Sequence, residues 1–278
     1  MSLVTRLTDS IKMKRKRIVV IGDAMIDRWV DGYTGPCQDD CAKFVVQSYM
    51  ETPGGAMNAE RSLSNWCGVD TITYGQGKGR RPVKSRYIEN GMIRFRVDDE
   101  TMDRALLVER EAGLEMVKHA GAVLISDYNK AFLTPDYIAK IIALCNMHGI
   151  PCVCDCIREP SIYRGAILKG NQNYLNKYSS RIQFTDNVII TYGARNPIAW
   201  DGGATNGLGR DLQPVKCINH VGAGDCFAAH MTLALAYGFS LTEAATIAHS
   251  AGRVYVQYPL NRPPEPDEID SDLSNLLQ

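Results

Sequence analysis

The sequence lacks both a net charge and a long hydrophobic run. Its 278 residues contain 31 Lys and Arg against 31 Asp and Glu, so the overall charge favours neither nucleic acid nor an anionic membrane surface. No apolar stretch approaches the roughly 18 residues that a membrane-spanning helix requires. The charged N-terminus is not followed by the apolar segment and cleavage site of a secretory signal. We therefore expect a soluble, cytoplasmic protein that binds neither nucleic acid nor a membrane.

The sequence also lacks the dense, even-numbered cysteine set of a small disulfide-stabilised domain. Its nine cysteines are widely scattered, which indicates reduced thiols. Cys152, Cys154 and Cys156 alternate along an apolar segment, and this spacing predicts small core residues on one face of a strand. Cys37 and Cys41 could bind a metal, but no second Cys or His pair lies near them in the sequence.

A basic segment, residues 12–17, leads directly into the apolar run of residues 18–21. We interpret it as a solvated approach to a first buried strand. A nucleic-acid-binding arm is the alternative, because clustered Lys and Arg residues attract phosphates.

Strand and helix patterns alternate along most of the remaining chain. We predict strands at 122–126, 151–155 and 188–191, and helices at 103–119, 134–148, 224–238 and 241–256. Alternation with nearly uninterrupted apolar strands predicts an α/β fold with a doubly wound, mostly parallel sheet and helices on both faces. We expect one domain over residues 1–278, with the proline-rich segment 259–266 ending the ordered core.

Two β-prone segments interrupt the first half of this pattern. Residues 29–50 contain several turn signals, and residues 83–97 bend at an Asn-Gly pair that is typical of a hairpin. Together they predict a discontinuous β-sheet lid. Ligands of doubly wound sheets bind at the carboxyl ends of the strands, so we expect the lid to cover that edge.

The clearest chemical signal is the turn Gly222-Ala223-Gly224-Asp225, which opens an apolar helix. Small residues expose backbone N–H groups, and a helix amino terminus adds partial positive charge, so this turn predicts an anion hole. A carboxylate beside a bound phosphate is unfavourable unless it accepts a proton from an attacking hydroxyl, as a general base does. The alternative is that Asp225 only stabilises the first turn of the helix.

This turn resembles the C-terminal signature of the PfkB/ribokinase family of sugar kinases. Gly54 and Gly55 followed by Asn58 resemble the N-terminal signature, and residues 22–28 resemble the segment whose last Asp, here Asp27, binds sugar hydroxyls. Segments 83–86, 96–98 and 126–130 look most like the heptose-7-phosphate kinase domain of the bifunctional ADP-heptose synthases. The resemblance covers about residues 18 to 258. It implies a ribokinase-like fold with a β-lid.

The resemblance also implies an ATP- and Mg²⁺-dependent kinase that acts on a sugar or sugar phosphate. We expect a homodimer through the lid, because a small isolated β-sheet exposes its edges and an apolar face. The implied substrate is a phosphosugar such as D-glycero-D-manno-heptose 7-phosphate, phosphorylated at the anomeric position. Asp225 is then the catalytic base, and the implied binding residues are Gly222, Ala223 and Gly224 for the anion hole, Asp27, Gly54, Gly55, Asn58, Lys84 and Arg86 for the substrate, and Asn173, Thr191 and Gly193 for the nucleotide. Lys84 and Arg86 alternate on one strand face, where both could bind a substrate phosphate.

The sequence departs from the family pattern at two positions. Asn176 stands where the family has the Glu of its Asn-x-x-Glu motif, so the metal ligands stay unassigned. The family's Asp-Pro-Lys becomes Asp155-Cys156-Ile157, and its lysine is missing unless Arg158 substitutes. These departures leave a second hypothesis open, which is a catalytically degenerate ribokinase-like protein that binds sugar phosphates or a partner.

Overall fold

The computed structural model describes residues 1–37, 41–66, 70–74, 81–101, 107–183, 187–201, 204–207 and 213–276. The helices are α1 (Leu3–Met13), α2 (Ala56–Arg61), α3 (Leu107–Val117), α4 (Pro135–His148), α5 (Gln172–Tyr178), α6 (Ala223–Ala236), α7 (Leu241–Tyr255) and α8 (Pro266–Leu276). The strands are β1 (Arg17–Gly22), β2 (Ala24–Gly35), β3 (Lys43–Gly55), β4 (Asp70–Tyr74), β5 (Val83–Glu89), β6 (Met92–Asp99), β7 (Ala122–Ser126), β8 (Cys152–Asp155), β9 (Ile167–Asn171), β10 (Val188–Tyr192), β11 (Arg195–Asp201) and β12 (Ala204–Gly207).

The main sheet has eight strands in the order β12-β11-β10-β9-β8-β7-β1-β4. All neighbours from β4 to β10 are parallel, whereas β11 and β12 are antiparallel additions at one edge. Residues 18 and 20 of β1 pack in one buried cluster with α1, α2, α6, α7 and α8, and residues 19 and 21 pack in a second cluster on the other face. Since both faces are covered, β1 is apolar without interruption, and the predicted α/β fold is confirmed.

A second sheet of four strands has the order β3-β2-β5-β6. The pair β2 and β5 is parallel, and the two outer pairs are antiparallel. The hairpin between β5 and β6 turns at Asn90 and Gly91, which have positive φ angles of 52° and 75°. The two β-prone segments therefore form one small sheet, as predicted, except for residues 38–40, which lie outside the described part.

The expectation that the proline-rich segment ends the ordered core is wrong. Helix α8 begins at Pro266, and its Ile269 and Leu273 are buried in the core. Proline suits the first turn of a helix because its missing N–H has no intrahelical acceptor there. Ser250 of α7 donates its hydroxyl to the Ile269 carbonyl and to Asp272, which fixes α8 against α7.

The basic segment before β1 covers the end of a helix. The ammonium of Lys16 donates to the carbonyl of Ala236, the last residue of α6, and lies 5.5 Å from the Tyr237 ring centroid. Cations stabilise the carboxyl end of a helix, so this contact supports the interpretation as an approach to the first strand. In the part of the chain that the structure describes, no helix has the length and apolar character needed to cross a membrane.

The cysteines follow the prediction with one exception. Cys152, Cys154 and Cys156 are buried core residues, as expected. Cys37 and Cys41, however, form a disulfide bond in the loop between β2 and β3. The expectation of reduced thiols is therefore wrong for this pair, and the bond also excludes the pair as metal ligands while it is formed.

Candidate active site

The glycine-rich turn leads directly into the first turn of α6. Gly222, which precedes the helix, has a positive φ of 83°. A Cβ at this position would lie 2.2 Å from Asn58 Nδ2 and 2.5 Å from Tyr255 Oη, so only glycine fits. Ala223 donates its N–H to the His220 carbonyl at 3.2 Å, which closes the turn. The turn presents the amino end of a 14-residue helix, with its partial positive charge, to the space in front of it.

Asp225 is buried in the first turn of α6, with only 3% of its surface exposed. Tyr128 donates its hydroxyl to Oδ1 at 2.6 Å, and Asn58 donates its amide to Oδ2 at 3.0 Å. Burial raises the pKa of Asp225 to about 7, the negative charge of Asp155 acts in the same direction, and the two hydrogen bonds oppose the shift. A carboxyl group with this pKa can accept a proton near neutral pH, as a general base must.

The sequence analysis did not identify two tyrosines that support this carboxylate. Tyr128 is the second residue after β7, at the strand edge where ligands of such sheets bind, and that position is a signal that could have found it. Tyr255 is the last residue of α7, and no local pattern marks it. Its hydroxyl lies 3.2 Å from Asn58 Nδ2 and donates to the Val221 carbonyl at 3.1 Å. The Asn58 amide therefore contacts the Asp225 carboxylate, and the roles of Asn58 as a sugar ligand and of Asp225 as the base stay predictions.

Asp27 and Arg86 form a buried ion pair between β2 and β5. Arg86 NH1 lies 2.7 Å from Asp27 Oδ1, and the guanidinium lies 5.0 Å from the Trp29 ring centroid. Gly54 leaves space for this pair, because a Cβ there would lie 2.7 Å from Asp27 Oδ2. Gly55 has a positive φ of 58°, and a Cβ on it would lie 2.3 Å from a backbone oxygen. The structure thus brings together four of the predicted substrate residues, Asp27, Gly54, Gly55 and Arg86, and binds Arg86 to Asp27.

Lys84 lies on the same face of β5 as Arg86 and reaches toward the base. Its ammonium is 4.6 Å from the Tyr128 ring centroid. Burial lowers the pKa of Lys84, while the charges of Asp27 and Asp225 oppose that shift. Lys84 therefore lies in the same electrostatic environment as the base.

A cavity of about 540 Å³ adjoins the glycine-rich turn, a volume typical of small-molecule sites. Ala223 and Gly224 line it together with the three predicted nucleotide residues, Asn173, Thr191 and Gly193. Further lining comes from Lys169, Phe227, His249, Gly252 and Arg253. The structure thus places the residues of the predicted nucleotide side next to the turn that carries Asp225.

The carboxylates that follow β7 and end β8 are paired with cations. Arg158 donates to Asp127 Oδ2 at 2.6 and 2.8 Å, and Lys169 donates to Asp155 Oδ1 at 2.8 Å. Asn176 is exposed on α5. Among the described residues, no three His, Cys, Asp or Glu side chains are grouped closely enough to hold a metal ion. Because Asp127 and Asp155 are each paired with a cation, these two carboxylates do not fit the role of Mg²⁺ ligands in this arrangement.

Comparisons with known proteins identify both sequence relatives and solved structures that are similar to this chain. Residues 168–268 match the description of the pfkB family of carbohydrate kinases. The bifunctional protein HldE of Hyphomonas neptunium is 26% identical over 93% of this chain and 64% of its own length. HldE of Mesorhizobium japonicum is 28% identical over 86% of this chain and 58% of its own length. The chain thus spans about three fifths of the curated relatives it matches, at 64% and 58% for these two.

Solved structures show the same fold at lower sequence identity. Phosphofructokinase-2 from Escherichia coli, in complex with substrates and products, superposes with a TM-score of 0.72 and 19% identity over 95% of this chain and 100% of its own. Ribokinase from Arabidopsis thaliana, complexed with ribose and ATP, has a TM-score of 0.68 and 15% identity over 94% of this chain and 99% of its own. These superpositions confirm the ribokinase-like fold. The match over residues 168–268 and the HldE relatives show in addition that the chain is similar to carbohydrate kinases of the pfkB family.

Proposed function

We propose that the chain is a carbohydrate kinase that transfers the γ-phosphoryl group of ATP to a sugar hydroxyl. The observation that carries the proposal is the position of Asp225. Its buried carboxylate lies at the amino end of α6, beside Gly224 of the cavity wall and within the electrostatic reach of Lys84 on the lid. A sugar under the lid and a nucleotide in the cavity would therefore meet at this carboxylate.

In the proposed reaction, Asp225 accepts the proton of the sugar hydroxyl as the oxygen bonds to the γ-phosphorus. The bond between the γ-phosphorus and the ADP oxygen breaks, and ADP leaves with that electron pair. Each carboxylate oxygen has two lone pairs, so the hydrogen bonds from Tyr128 and Asn58 leave acceptor positions for the sugar. The amino end of α6, at Gly222, Ala223 and Gly224, stabilises the negative charge of the phosphoryl group.

The nucleotide in this proposal is ATP, bound in the 540 Å³ cavity against Asn173, Thr191 and Gly193. Mg²⁺ enters as the counter-ion of the nucleotide phosphates and therefore belongs to the substrate. Use of ATP agrees with the cytoplasmic location expected from the sequence.

A coupled assay of ADP release over a series of neutral sugars and phosphosugars tests the proposal. A kinase releases ADP only when an acceptor sugar is present with ATP and Mg²⁺. The degenerate ribokinase-like protein that Asn176 and the missing lysine left open predicts a different result. It would bind a sugar phosphate in calorimetry without any sugar-dependent release of ADP, and that result would refute the proposed activity.

For the acceptor, we propose a phosphosugar such as D-glycero-D-manno-heptose 7-phosphate, phosphorylated at its anomeric hydroxyl. The resemblance of segment 83–86 to heptose kinases supports this choice. The two lid cations differ in their contacts. Arg86 donates a hydrogen bond to Asp27, and this carboxylate can also accept hydrogen bonds from sugar hydroxyls. Lys84 forms no ion pair among the described residues, and its charge is available to a substrate phosphate.

Replacing both Lys84 and Arg86 with Ala should raise KM for the phosphosugar strongly and leave KM for ATP nearly unchanged. Each charge-assisted contact contributes roughly 1.5 to 3 kcal/mol, so the loss should exceed tenfold. Steady-state kinetics with each substrate varied in turn measures the effect. Arg28→Ala removes an exposed cation from the other face of β2, where it pairs with Glu51, and provides the control. A double variant with the parental KM would show that neither lid cation binds the substrate.

The homodimer is also proposed to form through the lid sheet. Side chains of β6 alternate, and Phe95 and Val97 lie on the face opposite to Lys84 and Arg86. Both are nearly half exposed, at 45% and 47%. Further exposed apolar residues of the same sheet are Tyr33, Val46, Tyr49, Met50, Met92 and Ile93. Burial of such a surface against a second copy would remove it from water.

Sedimentation equilibrium should therefore detect a parental dimer, which Val97→Lys weakens at least tenfold because a buried ammonium opposes association. Lys118→Ala, on an exposed position of the main domain, serves as the control and should dimerise normally. A parental protein that stays monomeric at high concentration would contradict the lid-mediated dimer.

A further inference from the structure

Lys169 places a buried ammonium against the glycine-rich turn. The residue lies in β9 and is only 4% exposed, and its Nζ lines the cavity proposed for the nucleotide. A Cβ on Gly224 would lie 3.1 Å from this Nζ. The missing side chain of Gly224 therefore leaves room for the ammonium beside the turn. The charge therefore lies at the amino end of α6, where a phosphoryl group would be bound.

The strand register explains how Lys169 reaches this position. Asp155 of β8 lies opposite Lys169 in the parallel pair β8–β9, so the two side chains project to the same face of the sheet. Asp155 Oδ1 accepts a hydrogen bond from Nζ at 2.8 Å. Burial raises the pKa of Asp155, and Lys169 opposes that shift. An ammonium carries three donors and Asp155 accepts one, which leaves donors for a ligand.

The sequence left open whether Arg158 replaces the missing lysine, and in the structure Arg158 pairs with a different carboxylate. Arg158 donates to Asp127 and to the Leu133 carbonyl, and Asp127 also accepts from Tyr163. The guanidinium of Arg158 is thus bound at the carboxyl end of β7. The positive charge missing from the Asp-Pro-Lys position is supplied by Lys169 of the neighbouring strand β9.

We propose that Lys169 binds the phosphoryl group during its transfer, with Asp155 as the residue that positions the ammonium beside Gly224. The proposal rests on the kinase function proposed above and names the chain's own cation for that reaction. The Lys169 ammonium adds its charge to the partial positive charge of the α6 amino end at this point. Lys169 stays protonated throughout, while the proton of the sugar hydroxyl passes to Asp225. Its contacts strengthen as negative charge spreads over the phosphoryl oxygens, which increases kcat.

The test compares Lys169→Met with the double variant Lys169→Met/Asp155→Asn. Lys169→Met alone leaves a buried carboxylate without its partner and can destabilise the protein, whereas the double variant removes both charges and preserves the fold. We expect the kcat of the double variant to stay below that of the parent by a factor on the order of 10² to 10³, as after loss of one oxyanion-hole donor. If the pair were only structural, the double variant would recover to within threefold of the parent, and the proposal would be wrong.

A binding measurement that needs no turnover provides the second readout. Calorimetry in EDTA, without Mg²⁺, measures the affinities for ATP and for ADP. The double variant should lose at least tenfold more affinity for ATP than for ADP, because only ATP places a γ-phosphoryl group at Gly224. Arg158→Met is the matched control and should leave the ratio of the two affinities unchanged.

Equal losses for both nucleotides would overturn the proposal. If the parent releases no ADP with any sugar, the proposed kinase function fails, and the ratio of ATP to ADP affinity still decides whether Lys169 binds the terminal phosphate.

Discussion

Replacing Asp225 with Asn is expected to lower kcat by a factor on the order of 10² to 10⁴, while the protein still folds and binds both substrates. The Asn amide has nearly the same size as the carboxylate and can still accept a hydrogen bond from Tyr128. It cannot take the proton of a sugar hydroxyl, so the chemical step loses its base. Kinetics at saturating sugar and ATP, together with calorimetric binding of each, separates this loss from a loss of binding.

The pH dependence of the parent supplies a second measurement of the same base. The carboxyl must be ionised to act, and its pKa is about 7. The value of kcat/KM should therefore fall about tenfold per pH unit below about pH 7, and the residual activity of Asp225→Asn should lack this fall.

The matched control for this variant is Asp136→Asn, because Asp136 occupies the first turn of α4 and is remote from the base. If Asp225 only stabilised its helix, both substitutions would lower the stability by similar small amounts and neither would change kcat. A near-parental kcat for Asp225→Asn would show that another group is the base.

Replacing Gly222 with Ala should lower both the stability and kcat. The positive φ of 83° costs about 1 to 2 kcal/mol for a residue with a Cβ. Overpacking adds roughly 1 to 3 kcal/mol, because the new methyl group would lie 2.2 Å from Asn58 Nδ2. Since Asn58 holds Asp225, its displacement should lower kcat on the order of 10²-fold. Thermal unfolding and steady-state kinetics measure the two effects.

Gly238 provides the control for the backbone part of this effect. It has nearly the same φ, 81°, but a Cβ there would meet no atom within 4 Å. Gly238→Ala should therefore cost only the strain of the positive φ and leave kcat unchanged. Equal effects of the two substitutions would contradict the packing argument. A Cβ at Gly224 would approach Lys169 Nζ only to 3.1 Å, so we expect Gly222 to be the position more sensitive in thermal unfolding.

Elements with a strong local pattern were predictable from the sequence. Strand β7 was predicted with the bounds that the structure shows, 122–126, because a central parallel strand is apolar on both faces. Helices α4, α6 and α7 also lie within two residues of their predicted bounds. Helix α8 was missed because proline residues precede it, and its Ile269 and Leu273 gain their stability by packing on α7. Helix α1 was not predicted, although its Val4, Leu7 and Ile11 recur at helical spacing and are buried.

In the candidate site too, a contiguous motif was predictable from the sequence, whereas contacts between residues far apart in the chain were not. The turn of Gly222 to Asp225 is a contiguous signal, since its chemistry depends on small residues next to a helix start. The hydroxyl of Tyr128 contacts Asp225 across 97 positions, and the amide of Asn58 does so across 167. No periodicity in the sequence encodes such distances, because they follow from the order of strands in the sheet.

The sequence by itself determined the fold class, the anion-binding turn and the candidate base, since hydrophobic periodicity and turn chemistry act between near neighbours. Only the tertiary structure decided which cation serves which carboxylate. Arg86 binds Asp27 across 59 positions, and Arg158 turns to Asp127, which leaves Lys169 beside the glycine-rich turn. Electrostatic interactions depend on the distance and the burial of both groups, and these are fixed only when strands that are separate in the sequence become neighbours in the sheet.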